Sequence, residues 1–186
     1  MKKIVTTYGL IAGAIVSTIL AFSINLMKRE EGGHQGGWMW MMVGFASMLL
    51  AFIFIFIAIK NYRDNYLGGT ISFGKAFMTG MWVALIGSLC YTITWVIIYK
   101  GFYPDFMEQM NNAQLAQLQK SGKSPAEIAA EVKDMEKMTA MYKTWPGLIG
   151  FTMMEIFPVG LLVALVSALI LKRKHPKPSQ TVQLAS

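Results

Sequence analysis

Between Gly147 and Leu171 the chain runs for 25 residues with one charge, Glu155, and then meets Lys172-Arg173-Lys174. A helix rises about 1.5 Å per residue, so this run crosses a hydrocarbon core of roughly 30 Å with some tilt. The bilayer core has no water to satisfy backbone N–H and C=O groups, which makes helix the form such a run must take. A lone carboxylate at that depth costs roughly 2.5–3.5 kcal/mol on insertion scales, so Glu155 needs a partner or a wet cavity.

Three more uncharged runs have the same character: Ile4 to Met27, Trp38 to Ile59 and Ala76 to Tyr99. The predicted spans are 4–27, 38–59, 74–99 and 147–171. With 54% hydrophobic residues, the composition excludes an ordinary soluble domain. The expected fold is all-α, an integral membrane four-helix bundle over residues 1–174. Met1-Lys2-Lys3 before the first run resembles the start of a secretory signal. The run has 24 residues, though, against about 7–15 for a signal core, so a retained first span is expected.

Small residues recur every four positions at Gly9, Gly13 and Ser17, at Gly80, Ala84 and Ser88, and at Gly160, Ala164 and Ala168. Such stripes let helices approach closely and are read as packing seams. Residues 28–37 read as a short polar loop with four glycines. His34 there has no second ligand at useful spacing, and the single cysteine, Cys90, lies in an apolar run. Neither points to a metal, and no cofactor is expected. Trp38 opens the second span as an interfacial anchor, and the methionines that follow read as gap fillers.

Between the third and fourth spans, residues 104–143 form the one sizeable polar segment. Ser124-Pro125-Ala126-Glu127 is a capping box with proline at the first helical position. From it Ile128, Val132, Met135, Thr139 and Tyr142 follow at helical spacing. Asp105 to Gln119 reads as a preceding helix, with Gly122 suited to its C-terminal cap. The segment is therefore expected to be a helical hairpin outside the bilayer. Its methionines suit either packing on the headgroups or binding a protein partner. Residues 175–186 read as a disordered basic and polar tail able to hold anionic lipid.

The net charge of +7 is assigned to flanks of membrane helices, and no nucleic-acid motif accompanies it. With four spans both termini share a side. That side carries nine Lys/Arg against eight on the other, several of the eight lying far from the span ends. Both termini are thus expected in the cytoplasm.

Counting along antiparallel spans puts polar groups at one depth. Glu155 lies eight residues in from Gly147, Tyr91 eight back from Tyr99, and Ser47 nine in from Trp38. Tyr91, Thr92 or Ser47 could donate to the carboxylate. Pro158, one turn on, frees the Met154 carbonyl and kinks the helix. The layer either locks the bundle or forms a proton or ligand site.

A set of phrases gives the chain a family likeness. They are Tyr62-Arg63-Asp64 with Gly68-Gly69, Ile71-Ser72-Phe73-Gly74-Lys75-Ala76-Phe77 with Gly80, Tyr91 and Trp95, Pro104-Asp105-Phe106, and Glu155-Ile156-Phe157-Pro158-Val159-Gly160 before a basic stop. In order and spacing, from roughly Lys3 to Lys174, the chain resembles the domain-of-unknown-function family 4199, four-span bacterial membrane proteins found mostly in Bacteroidetes. The resemblance implies a bacterial inner-membrane protein and no particular reaction.

The spans offer no nucleophile–base pair, metal cluster or nucleotide loop, so an enzyme is not expected. An interaction or scaffolding membrane protein is the first functional expectation, with lipids, a hairpin partner and further copies of itself as candidate partners. A small oligomeric transporter or channel using Glu155 as a proton or cation site is the alternative.

Overall fold

A computed structural model describes the backbone over residues 1–29 and 38–173, and the side chains over these ranges except 26–29 and 38–41. The loop around His34, the side chain of Trp38 and the tail from Lys174 onward lie outside the described residues. Among the described residues six helices follow one another: α1 (Lys2–Arg29), α2 (Trp38–Tyr66), α3 (Phe73–Gly101), α4 (Phe106–Lys120), α5 (Pro125–Lys143) and α6 (Trp145–Leu171). Of these, α1, α2, α3 and α6 are long and apolar enough to cross a membrane. The fold is an all-α membrane bundle with a helical hairpin, α4–α5, between its last two spans.

The helix ends depart most from the sequence reading in two places. Lys28 and Arg29 belong to α1 rather than to the loop, and α2 continues past Ile59 to Tyr66. At 29 residues, α2 is about 43 Å long at 1.5 Å per residue. Its last two turns, from Lys60, therefore extend beyond a 30 Å hydrocarbon layer. Gly68 and Gly69, at φ +62° and +83°, then turn the chain into α3. Ser72 caps α3 by accepting from the Lys75 backbone N–H.

The small-residue stripes decide which helices meet. A Cβ on Gly9 would stand 2.7 Å from Ile86, and one on Gly13 2.5 Å from the Cβ of Cys90. One turn further, Thr94 donates to the Ser17 hydroxyl at 2.9 Å. Both positions ascend together, so α1 and α3 lie side by side in parallel. A Cβ on Gly80 would stand 2.8 Å from Ala164, and one on Gly160 2.8 Å from Ala84, so α3 and α6 run antiparallel. Ala168 is fully buried, one turn beyond Ala164. α2 packs on α6 and α1 and more lightly on α3. The helices therefore ring the core in the order α1, α3, α6, α2. This is not the sequential up-and-down ring, because α1 presents its glycines to α3.

Phe52, Ile55, Ile59, Val83 and Ile156 fill the centre without solvent exposure. A second cluster, at the hairpin end, gathers Ile24, Trp95, Tyr99, Met107 and Leu148. The opposite end is tied by paired backbone hydrogen bonds between Ile71 and Arg173, at 3.0 and 2.9 Å. There Arg63 also donates to the Leu171 carbonyl at 3.3 Å and pairs with Asp64 at 2.6 Å.

Candidate functional site

The corner between α5 and α6 sets the site. Thr144 caps α6, its hydroxyl accepting from the Gly147 N–H at 3.1 Å. A Cβ on Gly147 would fall 2.0 Å from the Met141 carbonyl oxygen, so the corner admits only glycine there. This tight turn holds the end of α5 against α3 and α6. Tyr142, in the last turn of α5, accepts a 2.6 Å hydrogen bond from Trp95 Nε1 on α3. Its ring stacks on Phe151 at 6.0 Å and meets Tyr99 edge-on at 5.4 Å. Phe106 of α4 meets Trp95 edge-on at 5.0 Å. An aromatic joint thus fixes the hairpin to the spans.

Polar groups continue from the joint into the membrane layer. The Thr152 hydroxyl, buried on α6, donates to the Leu148 carbonyl at 2.7 Å. Burial pushes the Tyr142 phenol up from its ordinary value, so it stays neutral and can both donate and accept. Glu155 follows three residues after Thr152 on α6. Tyr91 is buried on α3. Glu155 itself is exposed, on the flank of α6 between the buried Thr152 and Ile156. Among the described residues no hydrogen bond or ion pair reaches its carboxylate.

The other hydroxyls at this depth turn to their own helices. Thr92 donates to the Ser88 carbonyl at 2.8 Å, and Ser47 to the Gly44 carbonyl at 2.6 Å. Neither hydroxyl is directed at Glu155. Ser88 is fully buried, and its hydroxyl has no partner among the described residues. Pro158 is exposed one turn beyond Glu155 inside an α6 that runs on as helix, and it cannot donate to the Met154 carbonyl. Among the described residues no three of His, Cys, Asp and Glu gather into a metal site.

Sequence reasoning placed Tyr142 on one helical face of the hairpin and named Trp95 only among the residues of the family likeness. It missed their hydrogen bond, which joins residues 47 apart in the chain. The available signal was the position of Tyr142, five residues before the predicted span that begins at Gly147.

No curated protein and no solved structure gives a match to the chain. The sequence model of the DUF4199 family, described as a protein of unknown function, matches residues 7–173. That stretch takes in most of the first span, all of the other three, the hairpin, the joint at Tyr142 and Glu155, and the chain belongs to the DUF4199 family.

Proposed function

We propose that this membrane protein acts by binding other membrane components rather than by catalysis, as an interaction or scaffolding protein of a bacterial inner membrane. Both termini would lie in the cytoplasm and the α4–α5 hairpin on the far side, an arrangement supported by the Lys/Arg balance near the span ends. The observation that carries the reading is the direction of Glu155. Ionisable residues in spans almost always face a bundle interior or a wet cavity, whereas Glu155 is exposed on the flank of α6. The interior is filled by Phe52, Ile55, Ile59, Val83 and Ile156, so the carboxylate addresses whatever stands beside the bundle. The hairpin adds a second surface, with Met110, Met138 and Met141 exposed and adaptable in shape. Lipids, a protein partner at the hairpin and further copies of the chain are the candidates.

A second reading, a small oligomeric transporter or channel, is favoured by a lone ionisable residue, Glu155, inside a span. Extraction of the native membrane into lipid nanodiscs, with particle mass measured, separates the two. Binding requires particles heavier than one 20.7 kDa chain in its disc, with a second polypeptide or further copies in fixed ratio. A solitary chain that moves protons in vesicles, and loses the flux in Glu155→Gln, would turn the reading to transport.

A further inference from the structure

We infer that the α6 face around Glu155 docks a transmembrane helix of a different protein, one carrying a lysine or arginine at the same depth. This partner deepens the binding role proposed above and rests on it. Glu155, Pro158, Leu162, Val166 and Leu169 recur at helical spacing and are all exposed, so they form one continuous face, apolar apart from the carboxylate. Glu155 lies ten residues into α6 from Trp145, about 15 Å along the axis at 1.5 Å per residue. That is half of a roughly 30 Å hydrocarbon layer, beyond the reach of a lipid headgroup amine.

Charge complementarity selects the occupant. The nearest cation on α3, Lys100, lies nine residues beyond Tyr91, about 13 Å away along the axis. Lys100 is also engaged, over the rings of Tyr99 and Trp145 at 5.6 and 5.4 Å and on the Lys143 carbonyl at 3.4 Å. Lys60, Arg63, Lys75, Lys172 and Arg173 stand at the opposite end of the bundle. Two copies of the chain meeting on this face would therefore set carboxylate against carboxylate. A helix from another protein can supply the missing cation at the right depth. Beside the carboxylate, Pro158 leaves the Met154 carbonyl without its usual backbone donor, so an incoming ammonium or guanidinium finds a second acceptor.

The test reconstitutes the full chain, labelled at its C-terminus, in phosphatidylcholine vesicles with synthetic transmembrane helices of about 20 leucines. One helix carries a single central lysine, one a single glutamate and one neither, and energy transfer reports association. The lysine helix should bind at least about tenfold more tightly than the plain one, a difference of about 1.4 kcal/mol. Glu155→Gln, nearly the same shape, should abolish that preference. Glu155→Lys should transfer it to the glutamate helix. Equal binding of the lysine and plain helices would overturn the pairing, as would pairing of two copies through Glu155 without any added helix. If the preference is absent while native particles still hold a second polypeptide, only this partner assignment fails. If those particles hold a single chain, the binding role fails with it.

Discussion

Gly13 shows how little room one position can have. The Cβ of Cys90 lies 2.5 Å from where a Gly13 Cβ would sit, so Gly13→Ala must part α1 from α3. Overpacking of this kind costs about 1–3 kcal/mol, to be read as a lower unfolding midpoint in detergent. Adding Cys90→Ala should restore little, because it removes the Sγ at 2.8 Å but keeps the closer Cβ at 2.5 Å, whereas Cys90→Gly removes both and should restore more. In the hairpin, hydrogen bonds from the Ser124 hydroxyl and backbone N–H hold the Glu127 carboxyl below its ordinary value of 4.5. A carboxyl with a lowered folded-state value stabilises above its unfolded value and loses that contribution as pH falls through the lower one. Protection of the α4–α5 connection from a protease active in acid should therefore hold at neutral pH and weaken below the ordinary carboxyl range. Glu127→Gln should flatten that acid-dependent loss. This capping box was legible from four residues because both halves of its hydrogen bonding are local. The Tyr142–Trp95 bond was not, since nothing near either residue names the other.

Among the elements, the four spans were legible from uncharged length alone, and their ends were blurred where helix propensity carries on past the last apolar residue. Lys60 to Tyr66 illustrates this, since nothing there breaks a helix before Gly68-Gly69. The small-residue stripes were legible too, but not which stripe meets which helix. Gly9 and Gly13 are answered by Ile86 and Cys90, whose side chains announce no complement. The hairpin is attached mainly through its last turn, so Tyr142→Phe should loosen it while leaving the spans intact. Losing the hydroxyl that accepts from Trp95 costs about 0.5–1.5 kcal/mol. Amide exchange should quicken across α4 and α5 and stay unchanged in α3 and α6. Equal quickening in all four helices would show that the joint supports the bundle rather than the hairpin alone.

At the scale of the molecule, two ends with different construction enclose an apolar middle. One end is closed by the backbone pairing of Ile71 with Arg173 and by Arg63 on the Leu171 carbonyl. The other is closed by the aromatic joint and carries the hairpin. Between them stands Glu155, whose depth could be counted along the sequence and whose direction could not. A helix that is apolar all round gives no amphipathic signal to say which face is buried, and α6 is such a helix. Its outward direction makes the central claim testable at a neighbouring position. A nitroxide placed at Leu162 through Leu162→Cys, with Cys90 replaced by serine, reports by its oxygen accessibility whether protein or lipid covers this face in native membranes. The expected result is low accessibility, rising to the lipid value when Glu155→Gln is added. Lipid-level accessibility with Glu155 intact would contradict a binding role for this face.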